Sequence, residues 1–228
     1  TQWAVYLAEA LQAPAIVLSD QFLGQSRAVI DPPPDTGLRA QRLTAEANAP
    51  EYRRYRNTPS GVSPMAIPGT PGVTYTADGL EHTEAAVPSS NSKDHRLQLD
   101  KRERKLALFD YGDAWADIDG DGDAAVITFG SSSAAVREAV ARARADGHRL
   151  RLIAMRLLAP AQPERLARAL DGVRHLMVIE QNHGAQFWRY LRGHYDLPAK
   201  PASYHRPGPL PLRPGELHQA ISEWRKAA

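Results

Sequence analysis

From Ala124 onward, short apolar runs alternate with longer segments in which apolar residues recur every three or four positions. The runs occupy residues 125–129 (AVITF), 150–158 and 175–180 (HLMVIE), and each is typical of a strand buried on both faces. Helices are predicted between them, with Pro163 as a start and Asp-Gly pairs at 146–147 and 171–172 as stops. This alternation indicates an α/β domain over about residues 110–228, built on a parallel sheet with right-handed crossovers.

Two segments follow predicted strand ends, and the carboxyl ends of an open parallel sheet form its ligand crevice. Residues 130–133 and 180–183 should therefore lie on one rim. Backbone amides after Gly130 could hold a phosphate or carboxylate, or simply cap the helix, since neither a P-loop lysine nor a G-x-G-x-x-G run is present. His183 beside Glu180 suggests acid–base chemistry, with a surface histidine as the alternative.

The N-terminal residues predict a helix over residues 2–12 and then a buried parallel strand over residues 15–18 (AIVL). A polar turn follows at the strand's carboxyl end, where such sheets bind ligands, and a purely structural turn fits it equally well. Because the chain opens inside a helix, we expect its true start to lie upstream.

The stretch over residues 52–82 has no apolar periodicity, and its prolines at 59, 64, 68 and 71 favour a long ordered loop. A long loop of this kind is usually functional, although a polar connector is the alternative. Arg53, Arg54 and Arg56 precede Thr58, and guanidinium groups bind carboxylates with two parallel hydrogen bonds. The loop therefore predicts an anion site, with a solvated basic face as the other interpretation.

Residues 93–109 predict a solvated helix with a narrow stripe formed by Leu97, Lys101, Lys105 and Leu108. Acidic residues interrupt its basic run, which argues against a nucleic-acid surface. Residues 117–122 resemble the first half of an EF-hand loop, but Thr128 stands where the closing glutamate should be. A turn at a domain boundary is the favoured interpretation.

The composition excludes several classes of protein. The 28 basic and 26 acidic residues give a net charge of +2, too balanced for a nucleic-acid-binding protein. The sequence contains no cysteine, so this chain supplies no thiolate to an iron–sulfur cluster. No apolar run is long enough for a membrane span, and we expect a cytoplasmic protein. No zinc-protease or serine-hydrolase motif is present.

Several motifs, taken in order, identify a family. The succession AIVLSDQFLGQSRA, YRRYRNTPSGVSPMAIPGTPG, GLEHTE, DKRERKL and VIEQNHGAQ closely resembles the alpha subunit of 2-oxoacid:ferredoxin oxidoreductases over nearly the whole chain. The resemblance implies a thiamine-dependent enzyme that converts a 2-oxoacid such as 2-oxoglutarate to acyl-CoA and passes electrons to ferredoxin, or runs in reverse as a carboxylase.

The resemblance also implies the domain organisation, α/β throughout. Residues 1–100 would be the end of a thiamine-diphosphate pyrimidine-binding domain with its long loop, and residues 101–228 a transketolase-C-like parallel-sheet domain. Thiamine diphosphate with Mg and an iron–sulfur cluster would be held mainly by other parts of a hetero-oligomer, including a beta subunit. Coenzyme A would be the co-substrate. The family's thiamine-engaging threonine and glutamate precede this stretch, so we expect no activity from the chain alone.

Site residues follow from the loop and the turn. We predict substrate-binding roles for Arg54, Arg56, Thr58, Ser63 and Thr70, and cofactor-binding roles for Asp20, Gln21 and Phe22. No catalytic residue and no metal ligand is predicted in the chain. Met65 departs from the arginine that many relatives carry, which puts carboxylate recognition at that position in doubt. A non-catalytic assembly module of the same fold is the alternative, and a transketolase-like or E1 beta-type subunit is a third.

Overall fold

The computed structural model describes residues 1–198 and 200–227. These residues form two compact units, the first made of Thr1–Val17 and Val29–Asp110 and the second of Leu18–Ala28 and Tyr111–Ala228. The helices are α1 Gln2–Leu11, α2 Gln21–Gln25, α3 Ser92–Ala107, α4 Ser132–Ala145, α5 Pro163–Ala169, α6 Gln186–His194 and α7 Pro214–Ala227, with a 3-10 turn at Gly112–Trp115. The strands are β1 Ala116–Asp119, β2 Ala124–Phe129, β3 Leu150–Met155, β4 His175–Glu180 and β5 Ala202–His205.

The second unit is built on a five-stranded sheet in the order β1-β3-β2-β4-β5. Strands β3, β2, β4 and β5 are mutually parallel, whereas β1 pairs antiparallel with β3 at the edge. The predicted strands and helices from residue 124 onward are confirmed, because their side chains are buried on both faces of the central strands. The alternation predicts a parallel α/β sheet, which the four strands β3, β2, β4 and β5 confirm, and the antiparallel β1 makes the sheet mixed.

The core of this unit lies between the sheet and helices α4 and α7. Val136, Ala139 and Val140 of α4 are completely buried, and Leu217 and Ile221 of α7 join the same cluster. Apolar residues at spacings of three and four place one stripe of each helix against the strands. Helix α7 was not predicted. The edge strands β1 and β5 were not predicted either, because each has only four residues and no continuous apolar run.

The first unit has little regular structure between α1 and α3. Helix α1 confirms the helix predicted over residues 2–12, while residues 29–91 contain only isolated bridges, such as Thr44 with Met65. Of the stripe predicted on α3, Lys101 is buried and Leu97 and Lys105 are half-buried, whereas Leu108 is exposed. The buried Gln98 side chain donates to the Tyr55 carbonyl of the loop at 3.1 Å.

Gly61 shows how closely the loop lies on α3. Its φ angle is +75°, and a Cβ placed there would lie 2.6 Å from the Lys101 carbonyl oxygen. A side chain at this position would be strained and would also collide with the helix backbone. Glycine is therefore required for the loop to pack directly on α3.

Two predictions near the N-terminus are corrected by the structure. Residues 15–18 form no strand, and Ile16 and Leu18 are 84% and 70% exposed, because none of the described strands pairs with this run. An apolar run needs a neighbouring ladder to become a strand. The predicted turn that follows is the short helix α2. Asp20 is its N-cap residue, and the Asp20 side chain accepts a hydrogen bond from the Leu23 amide.

The half EF-hand pattern does not form a cation site. Thr128 is completely buried in β2, and Asp119 and Asp121 form ion pairs with Arg144 and Arg149. Within the part of the chain that the structure describes, no group of three His, Cys, Asp or Glu side chains is placed to hold a metal ion. Across these same residues, no helix combines the length and apolar character needed to cross a bilayer.

Candidate functional site

Hydrogen bonds from side chains to the backbone hold the long loop in one shape. The Tyr52 hydroxyl donates to the Pro64 carbonyl at 3.2 Å and accepts from the Ala66 amide at 2.9 Å. The Ser63 hydroxyl donates to the Arg56 carbonyl at 2.7 Å. These contacts join the two limbs of the loop, so its arginines are displayed from a fixed backbone.

Two of the three arginines line a pocket. The pocket has a volume of about 260 Å³, and its lining includes Arg53, Arg56, Tyr52, Glu46 and Thr44. Arg56 donates to the Glu51 carbonyl at 2.8 Å, which fixes its guanidinium, and the Arg53 side chain forms no hydrogen bond or ion pair with any described residue. The pocket therefore offers unpaired guanidinium donors that suit a carboxylate or phosphate.

Arg54 does not line this pocket. Its Nη2 donates to the Gln12 side chain at 2.9 Å, and its guanidinium lies 5.3 and 5.6 Å from the ring centroids of Tyr55 and Tyr75. Contacts with two aromatic rings hold the guanidinium plane in place. The sequence placed Arg54 and Arg56 together, whereas the structure gives them different surroundings.

The three predicted hydroxyl groups serve the loop itself. Thr58 donates to the Val62 carbonyl, Ser63 to Arg56, and Thr70 to the Ile67 carbonyl at 2.8 Å. Each hydroxyl proton is therefore engaged locally, as is common in turns. In this arrangement these residues shape the loop, and the guanidinium groups are the donors available to an anion.

Met65 lies beside a different basic side chain. Its sulfur is 3.3 Å from Nη1 of Arg42, and Arg42 forms an ion pair at 2.7 Å with Glu9 of α1. The Met65 amide and carbonyl bridge the backbone around Thr44, donating to Leu43 and accepting from Ala45. The position thus contributes backbone order to the loop without a charge of its own.

Two lysines of α3, Lys101 and Lys105, lie where Gly61 of the loop packs on the helix, and the sequence did not predict a role for them. Lys101 is only 6% exposed, and its Nζ lies 5.9 Å from the ring centroid of Tyr55. Burial, together with the positive charges of Arg54 and Lys105, lowers the pKa of Lys101 to about 8. Their spacing placed both lysines in the narrow stripe predicted on α3, but no binding role was predicted for that stripe.

His82 completes the surroundings of Tyr55. Its ring centroid lies 4.8 Å from that of Tyr55, and the residue is 6% exposed. Its Nε2 is 3.0 Å from an Asp78 oxygen, although the angles are unsuitable for a hydrogen bond, so the contact is electrostatic only when the imidazole is protonated. The histidine of the GLEH motif thus lies in the interior of the first unit, while the half-buried Glu81 beside it pairs with Arg102.

In the second unit, Glu180 caps a helix. It is completely buried and accepts hydrogen bonds from the Phe187 and Trp188 amides, both at 2.8 Å, and from the Asn182 side chain. Its oxygens satisfy the unpaired donors at the start of α6, and His183 is exposed. This geometry supports a structural role for Glu180 and gives no acid–base pair.

The predicted cofactor residues Asp20, Gln21 and Phe22 lie at the start of α2. Hydrogen bonds from the Leu23 amide and then from the Ser131 hydroxyl lower the pKa of Asp20. Phe22 is half-exposed. Asp20 therefore joins α2 to the turn after β2, and the cofactor roles of all three residues stay predictions.

Comparison with known proteins gives consistent matches. The family model for the pyruvate:ferredoxin oxidoreductase core domain II matches residues 122–194. The 2-oxoacid:ferredoxin oxidoreductase subunit alpha of Saccharolobus solfataricus is 30% identical over 200 residues, which cover 83% of this chain and 31% of that protein. The 2-oxoglutarate synthase subunit KorA of Methanothermobacter marburgensis is 28% identical, covering 83% of this chain and 51% of its own length.

A solved structure is similar over nearly the whole chain. It is the 2-oxoglutarate:ferredoxin oxidoreductase from Magnetococcus marinus with 2-oxoglutarate, coenzyme A and succinyl-CoA bound, with a TM-score of 0.85 and 30% identity. The match covers 96% of this chain and 38% of that one. The chain thus spans about a third of several of the proteins it matches. By sequence and by fold, the chain belongs to the family of 2-oxoacid:ferredoxin oxidoreductase alpha subunits, of which it corresponds to a part.

Proposed function

We propose that this chain is part of an enzyme that oxidatively decarboxylates a 2-oxoacid such as 2-oxoglutarate to an acyl-CoA and reduces ferredoxin, or catalyses the reverse carboxylation. The observation that carries the proposal is the match over 96% of the chain to an oxidoreductase whose structure holds 2-oxoglutarate, coenzyme A and succinyl-CoA. The chain acts as one component and is not active alone. The described residues include no group of three His, Cys, Asp or Glu side chains placed to hold a metal ion.

The loop supplies the substrate side of the proposed site. We assign Arg56, together with Arg53, to the pocket that receives a carboxylate, because both guanidinium groups line it. Arg54 contributes positive charge from its position between two tyrosine rings. Thr58, Ser63 and Thr70 support the loop backbone that presents these groups.

The two parts of the chain have separate proposed roles. Residues 1–100 correspond to the end of a pyrimidine-binding domain and residues 101–228 to a transketolase-C-like domain. Asp20, Gln21 and Phe22 would approach the cofactor. The compact sheet unit, with its apolar core, supports assembly.

The chain's own residues do not fit the role of principal cofactor holder. Mg²⁺ binds to groups of oxygen ligands and iron–sulfur clusters bind to thiolates, but the described residues contain no suitable metal-ligand group and the sequence has no cysteine. We therefore place thiamine diphosphate, Mg and the cluster on other parts of a cytoplasmic hetero-oligomer, including a beta subunit. Ferredoxin would be the electron acceptor and coenzyme A the co-substrate.

The test uses the complete complex that contains this chain. Several 2-oxoacids are supplied with coenzyme A, and reduction of ferredoxin or of a dye acceptor is followed. Reduction that requires both the 2-oxoacid and coenzyme A is the expected result. A complex that is loaded with its cofactors and reduces neither acceptor with any 2-oxoacid would contradict the proposal.

Substitution of the loop arginines tests the substrate side. We expect Arg56→Ala and Arg54→Ala in the complete complex to raise KM for the 2-oxoacid, because one charged hydrogen-bonded contact is worth roughly 1.5–3 kcal/mol, or about 10- to 150-fold. Arg39→Ala is the matched control, since Arg39 is exposed and pairs with Asp35 outside the loop. Steady-state kinetics that are unchanged in both loop variants would exclude the two arginines from substrate binding.

A further inference from the structure

We propose that residues 15–18 (AIVL) are an assembly surface, which joins as one more strand the edge of a parallel sheet. The sheet belongs to the portion of a 2-oxoacid:ferredoxin oxidoreductase alpha subunit that this chain does not span. The inference names a partner within the proposed function and rests on it, because it takes the chain to be one component of a larger enzyme. None of these residues lines the pocket of Arg53 and Arg56.

The side chains of this run are apolar and open to solvent. Ile16 and Leu18 are 84% and 70% exposed, and Val17 between them is 59% exposed. Consecutive side chains of a strand project to opposite faces of a sheet, so both faces of this run would be apolar. Single exposed apolar residues are ordinary on a protein surface, whereas a contiguous exposed apolar group marks an interaction site.

The backbone of the run lacks partners as well. Residues 15–18 lie in no helix, turn or bend, and none of their amides or carbonyls forms a hydrogen bond with any residue in 1–198 or 200–227. All four φ angles are negative, as in a β-strand. Each residue therefore presents a backbone donor and acceptor that an added strand can pair with.

The second unit shows what such a run does when it has neighbours. Residues 125–127 (AVI) lie in β2 between β3 and β4, and all three are completely buried. Residues 28–30 have the same three letters but lie outside every described strand, and Val29 and Ile30 are largely exposed. The difference between buried and exposed is thus the presence of neighbouring strands, which is what residues 15–18 lack.

The sequence of the run specifies the kind of sheet that fits it. A strand with one solvated face alternates apolar and polar residues, but all four residues of this run are apolar. Continuous apolar strands are typical of parallel sheets with helices on both faces. A polar surface would leave the side chains uncovered, and an apolar groove would leave the backbone groups unpaired. The partner is therefore the edge of a parallel sheet that is covered on both faces.

The sheet of a second copy of this chain is a poor match. Its edge strand β1 carries the exposed Asp117 and Asp119, and its other edge β5 carries the exposed Ser203 and His205. Charged and polar side chains of this kind guard an edge against pairing with another chain. A run that is apolar on both faces would not be covered at either edge.

The size of the relatives indicates where a suitable sheet lies. The match to the Magnetococcus marinus structure covers 96% of this chain but 38% of that one, and the match to the Saccharolobus solfataricus alpha subunit covers 31% of that protein. More than half of each relative therefore lies outside the matched region. We assign the sheet to that remaining portion of the alpha subunit.

Hydrogen exchange compares the 228-residue chain with the complete complex that contains it. We expect the peptide over residues 14–19 to exchange freely in the chain alone and part of its amides to exchange about 100-fold slower in the complex. The β2 amides should be protected in both samples. Equal exchange of residues 14–19 in the two samples would overturn the proposal. Protection that rises with the concentration of the chain alone would assign the run to a second copy and would also overturn it.

Charged substitutions test both faces of the run. In the complete complex, Val17→Asp and Leu18→Asp should each speed the exchange of residues 14–19 at least about tenfold, because each places a charge in an apolar layer. In the chain alone, both variants should keep Tm within about 1 °C of the wild type, since the side chains are exposed. Leu210→Asp is the matched control, because Leu210 is equally exposed outside the run. Exchange in both variants equal to that of the control would refute the assignment.

Cross-linking identifies the partner. The chain has no cysteine, so Ser19→Cys adds its only thiol directly after the run and leaves the four apolar residues intact. The thiol is labelled with a maleimide-benzophenone, the complex is irradiated, and the linked peptides are identified by mass spectrometry. Links to the portion of the alpha subunit outside this chain are expected. Links confined to a beta subunit or to a second copy would overturn the assignment.

Turnover of 2-oxoacids in the same sample separates this proposal from the proposed function. A complex that reduces its acceptor while residues 14–19 exchange freely contradicts the strand assignment alone. A complex in which the run is protected but no 2-oxoacid is oxidised supports the strand assignment and contradicts the proposed function.

Discussion

Glu180 offers the sharpest test of how this fold is held together. Its carboxylate is completely buried and accepts hydrogen bonds from the Phe187 and Trp188 amides at 2.8 Å each. These amides belong to the first turn of α6, where helix donors lack partners within the helix and the dipole favours a negative charge. Glu180→Gln preserves the shape of the side chain and removes its charge.

The expected cost follows from the individual contacts. The amide has one acceptor oxygen, so one buried N–H loses its partner, at about 1–3 kcal/mol. The bonds that remain, from one amide and from the Asn182 side chain, become neutral, which costs about 1 kcal/mol more, and the lost interaction with the helix dipole adds up to about 1 kcal/mol. Relief of the buried charge offsets part of this sum. We expect a net loss of about 3 kcal/mol in the free energy of unfolding of the second unit.

Hydrogen exchange measured by mass spectrometry detects the loss of protection at the amides that Glu180 caps. A loss of about 3 kcal/mol corresponds to exchange that is roughly 100-fold faster at the Phe187 and Trp188 amides. The Tm should fall by about 6–12 °C. Glu223→Gln on α7 is the matched control, because Glu223 is exposed and bonds only to the Gln219 side chain among the described residues.

The outcome also separates two roles for Glu180. If Glu180→Gln exchanges at the control rate and keeps its Tm, the capping argument is refuted. If the stability is unchanged but activity of the complete complex is lost, Glu180 takes part in acid–base chemistry after all.

Two further predictions concern the first unit. Hydrogen bonding and charge from Arg102 lower the pKa of Glu81 from 4.5 to about 2, so its stabilisation is complete above about pH 4.5 and is lost as pH falls toward 2. Urea unfolding measured across this range should show that the wild type loses stability as the pH falls. Glu81→Gln should be less stable than the wild type at pH 7, and its free energy of unfolding should change less with pH. Gly61→Ala should cost about 2–4 kcal/mol, because φ is +75° and the new Cβ would meet the Lys101 carbonyl. Gly69→Ala shares the positive φ without a neighbour within 4 Å and should cost about 1–2 kcal/mol, so equal Tm losses would contradict the packing argument.

The second unit was predictable because its signals are local. The central strands are continuous apolar runs, and the helices between them end at Asp-Gly pairs, so length and periodicity define them. Strands β1 and β5 were not predicted, because an edge strand of four residues needs no apolar run. Its pairing depends on a neighbour that is distant in sequence, which no local pattern shows.

The first unit was less predictable because its contacts are polar and long-range. Lys101 belongs to the narrow stripe predicted on a charged helix, and only the loop that folds over it makes it buried. The strand predicted over residues 15–18 was wrong for the opposite reason. The run is as apolar as a buried strand, but it has no partner among the described strands. The same distinction applies to the arginines, whose spacing in sequence did not show that Arg54 and Arg56 occupy different environments.

This difference in construction has a consequence for the proposed chemistry. The second unit is stabilised by burial of apolar side chains between the sheet, α4 and α7, which is insensitive to salt. In the first unit, α3 is held to the loop by charged contacts such as Arg102 with Glu81 and Arg104 with the Thr58 carbonyl. Partly exposed contacts of this kind weaken with salt and acid. The order of the loop that presents Arg53 and Arg56 should therefore be more sensitive to salt and acid than the fold of the second unit.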